Sequence, residues 1–449
     1  MKSEERLSPA VWLARGQGLV NRLVASKIGQ ELLGSMGLKM ASVALVFLSS
    51  VLLARGLGPA EYGIYSYVYA LVTLVTVPAE FGLPVLLVRE TARGMANGDY
   101  ALVKGIWRWS GQITGVLSLV LAGGVFLFVV LSHGVFTGER LSTLLWGLAL
   151  VPLIALGDLR GAALRGLQRV VAGQLPEFLL RPGLFVLLIG AVMIWRVAAL
   201  SASVAMALYV IAAALAFLGG AWLLWRVTPQ SVQQATPRFE SRAWLLSAWS
   251  LAWIGGMQII NQQVAILLQG FFLPDDQIGI FRVATQVSQV ASVGLMAVNM
   301  AVSPRFAALY VKQEVAKLQA LVTKSTRVIV FFNLLVTIGF VTGGRVFLKI
   351  FFGSLYEKAY IPLLILLIGQ LINSGVGTVA SLLNMTSYEN ETAKARTIAT
   401  IANIVLNLIL LPYWGIVGSA IATSLSLVLW NVILWWQTKK KLGINSLAF

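Results

Sequence analysis

Residues 52–65 read Leu52-Leu53-Ala54-Arg55-Gly56-Leu57-Gly58-Pro59-Ala60-Glu61-Tyr62-Gly63-Ile64-Tyr65. An apolar run follows, then Pro78-Ala79-Glu80-Phe81-Gly82-Leu83-Pro84 and Arg89-Glu90-Thr91-Ala92-Arg93. The pattern predicts the end of one apolar helix, a short turn at Gly58-Pro59 and the start of a second helix. Two prolines around Glu80 predict a break near the far end of that second helix. A weaker copy appears later as Leu273-Pro274-Asp275-Asp276-Gln277-Ile278-Gly279-Ile280-Phe281-Arg282. Pro59, Gly63 and Tyr65 answer Pro274, Gly279 and Phe281 with one residue of slip. Leu164-Arg165-Gly166-Leu167-Gln168-Arg169 similarly answers Leu383-Asn384-Met385-Thr386-Ser387-Tyr388-Glu389. The matching order points to two related halves in one chain.

Composition sets the solvent. Of 449 residues, 58% are hydrophobic and 11% charged, with mean hydropathy +0.84. A soluble domain carries about 25% charged residues. Apolar runs of about 20 residues, each able to cross about 30 Å of hydrocarbon, recur along the chain. The predicted fold class is therefore all-α and polytopic in a membrane, not a barrel of alternating strands of about 10 residues. The chain has no cysteine and one histidine, His133, so disulfides, thiolate metal sites and His-cluster metals are excluded. A net charge of +17 would suggest nucleic acid for a soluble domain. In a membrane protein it reads as Lys and Arg gathered on the cytoplasmic face, so no nucleic-acid partner is expected.

Twelve spans are predicted, near 32–54, 62–88, 106–131, 141–159, 178–195 and 201–226, then 243–272, 279–303, 326–343, 361–384, 395–411 and 415–437. The organisation expected is a cytoplasmic amphipathic segment at 1–31, a six-helix bundle at 32–227 and a polar linker at 228–242. A second six-helix bundle at 243–437 and a cytoplasmic tail at 438–449 complete it. Residues 1–31 mix Lys2, Arg6, Arg15, Arg22 and Lys27 with apolar side chains at helical spacing. They read as a helix on the inner leaflet rather than a cleavable signal peptide. With both termini cytoplasmic, most of the 34 Lys and Arg fall inside. Outside lie Arg55, Arg140, Arg196, Arg345, Lys349 and Lys358. Three of these fall in 343–360, which is either re-entrant or a helix extension.

No catalytic constellation, metal motif or nucleotide loop of the form GxxxxGK[ST] is present, so no cofactor is expected and ATP is not the direct energy source. Polar side chains inside the spans carry the functional signal, because a charge at mid-membrane costs about 2.5–3.5 kcal/mol and faces a cavity or a partner. Lys39, Arg89 and Arg282 are the candidate cations. Arg282, Gln286 and Gln289 form a stripe on one helical face. Gln258 and Gln262 add amides on the preceding span, next to the flexible Gly255-Gly256. Glu80, with Arg89 across the proline kink, and Arg305 after Pro304 are the candidates for gating or coupling. Gln370, Asn373, Asn403 and Asn407 read mainly as interhelical contacts.

These residues resemble a family. The helix start Leu52 to Tyr65, its later copy Gly279-Ile280-Phe281-Arg282-Val283-Ala284 with Pro304 after it, and Phe352-Gly353, Tyr356 and Ala359 are similar to polysaccharide-biosynthesis flippases of the Wzx type. Those belong to the MOP superfamily of MATE-like transporters. The resemblance covers about 30–440 and implies two six-helix bundles around a cavity working by alternating access. It implies a polyprenyl-pyrophosphate-linked oligosaccharide carried from the inner to the outer leaflet of a bacterial inner membrane. Lys39, Arg89 and Arg282 would meet the pyrophosphate, and Gln258, Gln262, Gln286 and Gln289 the sugars. Membrane lipids, a coupling ion (H+ or Na+) and polysaccharide polymerases are the other implied partners. The product would be O-antigen, exopolysaccharide or capsule, and the chain would be a transporter, not an enzyme. The alternatives are a MATE-type cation or drug antiporter, which should line its cavity with carboxylates, and a lipid II flippase, which should show fourteen spans. A membrane glycosyltransferase or polymerase would need a large outer loop.

Overall fold

The computed structural model describes residues 27–131, 136–195 and 200–447, so the expected amphipathic helix up to residue 26, and His133, lie outside the described residues. The helices in order are α1 (Lys27–Glu80), α2 (Leu83–Ala96), α3 (Tyr100–Leu131), α4 (Gly138–Leu148), α5 (Leu150–Gly166), α6 (Val170–Leu175), α7 (Arg181–Trp195) and α8 (Ala202–Val227). After the short α9 (Gln230–Gln234) come α10 (Ser241–Phe272), α11 (Asp275–Ser288), α12 (Val290–Val311), α13 (Val315–Phe351), α14 (Tyr360–Val376), α15 (Val379–Met385) and α16 (Glu389–Leu442).

Ten continuous helical stretches among the described residues are long and apolar enough to cross a membrane. Two of them are each two crossings joined end to end. α1 breaks at Gly58 (φ 72°, ψ 174°) and α16 at Gly415 (φ 54°, ψ −136°). Twelve crossings result, as the hydropathy predicts. Gly58 is glycine because this backbone conformation is open only to a residue without Cβ. Pro59 then starts the second helix, where its missing N–H costs nothing. The break expected between Pro78 and Pro84 falls at Phe81 (φ 46°) and Gly82 (φ 69°). Residues 343–351 extend α13, and a 3-10 turn (Ser354–Ala359) follows, so that segment is helix and not re-entrant.

The two halves repeat each other in backbone as well as sequence. Gly98 after α2 and Gln313 after α12 both take positive φ, and so do Gln168 after α5 and Ser387 after α15. Each turn closes the same way. Asp99 N bonds Gly94 O, Glu314 N bonds Leu309 O, Arg169 N bonds Leu164 O, and Tyr388 N bonds Leu383 O. These are helix ends sealed by a left-handed residue.

The linker docks on the first half. Arg238 N donates to Ala101 O (3.0 Å), its guanidinium pairs with Asp99 (2.7 Å), and Lys104 Nζ donates to Gln233 O (2.5 Å). We call this end of the molecule the linker side and the opposite end the Gly58 side. At the C-terminus Gln319 and Asn445 exchange hydrogen bonds, and Ile444 is buried.

Glu61 has a structural task. Its Oε2 accepts from Ala202 N (2.7 Å), and Glu139 Oε1 accepts from Ser203 N (2.7 Å). Both carboxyls sit on the unpaired amides that open α8, where negative charge is favoured. Glu61→Ala is expected to cost about 1 kcal/mol, in the usual range for losing a cap. Thermal unfolding in detergent should show the loss, with Glu61→Gln falling in between.

Candidate functional site

A cavity of about 200 Å³ lies between α1, the α6–α8 region and α11. The residues after Pro59 build one wall. Tyr62, Tyr65 and Tyr69 share one helical face and stack, with Tyr62–Tyr65 ring centroids 6.5 Å apart and Tyr65–Tyr69 6.3 Å. Phe185 stacks on Tyr65 (6.3 Å), and Tyr209 meets Phe185 edge-on (4.7 Å). Tyr62 OH and Ser50 Oγ hydrogen-bond at 2.8 Å, and Ser42, Ser49 and Ser66 add hydroxyls.

Cations enter from two sides. Arg282 and Gln286 of α11 line the cavity from the second half of the chain, and Arg181 lines it from the first. Arg181 lies over the Tyr209 ring, 6.0 Å from its centroid. A π-helical turn (Pro176–Leu180) precedes it, so the helix carries Glu177 and Arg181 inside the span. Such single turns recur at functional sites because they re-aim side chains.

Behind this wall sits a charged cluster. Gly161 and Gly173 pack so closely that a Cβ on either would lie 2.7 or 2.6 Å from the other's carbonyl oxygen. That approach brings Glu177 onto Arg160, with which it forms an ion pair; the Arg160 side chain is only 5% exposed. Arg160 Nη1 also donates to Phe217 O (2.5 Å) and Ala216 O (3.3 Å). The Glu80 carboxyl lies against that of Asp158, with Arg181 in electrostatic reach of both. A buried charge survives only with such compensation.

A second space of about 300 Å³ joins the cavity through Ser42, Val46 and Gln286. It runs between the first part of α1 and α11–α12, with Val43, Phe47, Val290, Val293 and Met296 on its walls. There the halves stand apart, while α12 packs on α13, α14 and α15 of its own half.

Of the residues singled out by sequence, Arg282 and Gln286 reach the cavity, and Gln286 and Gln289 line the side cleft. Lys39 is half-buried one turn before Ser42 and lines neither space. Arg89 does not reach the cavity. It is exposed at the linker side and bonds Glu90 (2.9 Å), not Glu80, because the break at Phe81–Gly82 turns α2 away. Gln258 and Gln262 are exposed outside the cavity lining, and Arg305 is exposed near the end of α12. Arg160 and Arg181, which charge counting places with the cytoplasmic loops, lie within helical stretches long and apolar enough to cross a membrane. Arg181 carries the signature that marked Glu80, a charge beside prolines in an apolar run: Pro176-Glu177-Phe178-Leu179-Leu180-Arg181-Pro182.

Twelve crossings in two repeated halves, with a cavity between them joined to a second cleft, define a MATE-like transporter fold. An inward-facing multidrug-resistance MATE transporter of the MOP superfamily superposes with a TM-score of 0.74 at 13% identity, over 92% of this chain and 98% of that one. An inward-closed structure of the lipid II flippase MurJ gives 0.71 at 15% identity, over 90% and 87%. Residues 29–310 match the model of a family described as polysaccharide biosynthesis protein, and the chain belongs to that family. Among curated relatives, the probable low-salt glycan biosynthesis flippase Agl15 of Haloferax volcanii is 25% identical over 394 residues, 87% of this chain and 79% of that protein. Stage V sporulation protein B of Bacillus subtilis is 34% identical over 134 residues, 29% of this chain and 26% of that protein.

Proposed function

We propose that the chain is a flippase for a polyprenyl-pyrophosphate-linked oligosaccharide, working by alternating access without enzymatic chemistry. The observation that carries this reading is a pair of arginines, Arg181 and Arg282, facing one cavity from opposite halves, beside a cleft with apolar walls. A pyrophosphate takes charge-assisted hydrogen bonds from both guanidinium groups. The sugars meet the tyrosine and serine hydroxyls and Gln286. The polyprenyl tail stays in the bilayer through the cleft between α1 and α11–α12, so only the head group crosses.

The linker side is cytoplasmic in this reading, and the membrane is the bacterial inner membrane. The cavity then stands ready to load from the cytoplasmic leaflet. An inside-negative potential favours outward movement of an anion by about 2.3 kcal/mol per charge per 100 mV. Two uncompensated charges supply about 4–5 kcal/mol, and a coupled H+ or Na+ would add to it. Polymerases that consume the flipped unit are the expected protein partners. A cation antiporter fits less well, because two arginines face the cavity against one carboxylate, Glu177.

The test is transport in proteoliposomes, with sugar exposure scored by an added glycosidase. Arg282→Ala is expected to lower transport at least tenfold with normal insertion, the loss of about one charged hydrogen bond or more. Full transport by that variant, or transport of organic cations in place of the glycan, would overturn the reading.

A further inference from the structure

On the Gly58 side the halves touch through the two helix starts that echo each other in sequence. A Cβ on Gly63 would lie 1.8 Å from the carbonyl oxygen of Asp275, and a Cβ on Gly279 would lie 2.1 Å from that of Pro59. The contact is backbone on backbone and reciprocal. One side-chain ion pair clasps it. Arg140, from the first turn of α4, reaches across to Asp275 at the first residue of α11 with Nε at 3.1 and 3.0 Å from the two carboxylate oxygens and Nη2 at 2.5 Å. The guanidinium also lies over Tyr67, 5.7 Å from the ring centroid.

We propose that Arg140 and Asp275 are the latch of a gate on the Gly58 side, and that α11 links this latch to the cavity. Asp275, Gly279, Arg282 and Gln286 follow one another around one face of α11. The first two meet the other half of the chain; the last two line the cavity. A ligand that draws on Arg282 therefore pulls on the helix whose tip is clasped. The pair is suited to opening. Its side chains are 27% and 21% exposed, against 5% for Arg160, so water can take over both charges when it parts. Beside the latch the halves also meet through the rings of Phe47, Phe351 and Phe352 and through side-chain hydrogen bonds to carbonyls. Arg55 donates to Ile350 O and Phe351 O, and Tyr356 OH donates to Ala54 O (3.1 Å).

The latch belongs to the alternating-access cycle proposed above, but its test does not depend on what is carried. The chain has no native cysteine, so one placed at Ser66 on the cavity wall is the sole thiol. A membrane-impermeant maleimide is applied to the Gly58 side of the full-length protein in oriented proteoliposomes. Asp275→Asn and Arg140→Gln are each expected to raise the labelling rate about tenfold. Exchanging the pair, Arg140→Asp with Asp275→Arg, is expected to return labelling to the slow rate. If a neutral variant fails to insert, Arg140→Lys, which keeps the charge and loses the two-pronged geometry, should label at an intermediate rate. Unchanged labelling in the inserted single variants, or fast labelling in the exchanged pair, would overturn the proposal.

Discussion

Replacing Arg181 with alanine is expected to cut glycan transport by about 30- to 1,000-fold, equivalent to about 2–4 kcal/mol, the range for truncating one partner of a desolvated charge pair. Two losses combine. The substrate loses a cation that Arg282 on the opposite wall cannot replace. The cluster behind the wall loses one of two guanidinium groups, leaving Glu80, Asp158 and Glu177 with Arg160 alone. These effects can be separated. Thermal unfolding in detergent reports the cluster, and Arg181→Ala combined with Glu80→Gln, which relieves the Glu80–Asp158 pair and spares the Arg160–Glu177 ion pair, should recover part of the stability without recovering transport. Arg181→Lys should retain charge yet lose much of the rate, because an ammonium cannot make two parallel bonds to a phosphate. Full transport by a folded Arg181→Ala protein would remove Arg181 from the substrate path.

The contrast between Arg181 and Arg89 shows how much of the site could be read from sequence. Both are charges next to a proline break. Periodicity places helices and breaks, and it located Gly58, the kink after Pro78 and the stripe at Arg282 and Gln286. It does not say which way a helix leaves a break. After Phe81–Gly82 the chain turns Arg89 to the surface; after the π turn it keeps Arg181 on the cavity. The same ambiguity holds for Gln258 and Gln262. A span in lipid is apolar on every side, so hydropathy does not mark the face that meets the cavity. Asn261, three residues from Gln258, instead bonds Asn403 (2.9 Å). The sequence shows Gly63 and Gly279 only as members of a repeat, and the structure supplies the reason for them. Gly63 and Gly279 stand at matching places in the two echoing helix starts because each faces a backbone.

That glycine pair sets up the second large effect. Gly63→Ala is expected to hold the Gly58 side open and lower transport more than tenfold. The new methyl would lie 1.8 Å from the Asp275 carbonyl oxygen, and a carbonyl in a helix cannot turn aside as a side-chain tip can. Overpacking of this kind costs about 1–3 kcal/mol. The cost falls only on the state in which α1 and α11 touch; once they separate, the methyl has room. A difference of about 3 kcal/mol between two states moves their ratio by about 150-fold, so a mostly closed population becomes a mostly open one. Loading from the linker side requires the closed state, so transport falls even though no cavity residue has changed. The readout is the maleimide labelling of the cysteine at Ser66, which should rise at least as far as in the latch variants. Gly37→Ala is the control, since its Cβ meets nothing within 4 Å, and neither labelling nor transport should change. If Gly63→Ala inserts normally and still labels slowly, the halves separate somewhere other than at α1 and α11.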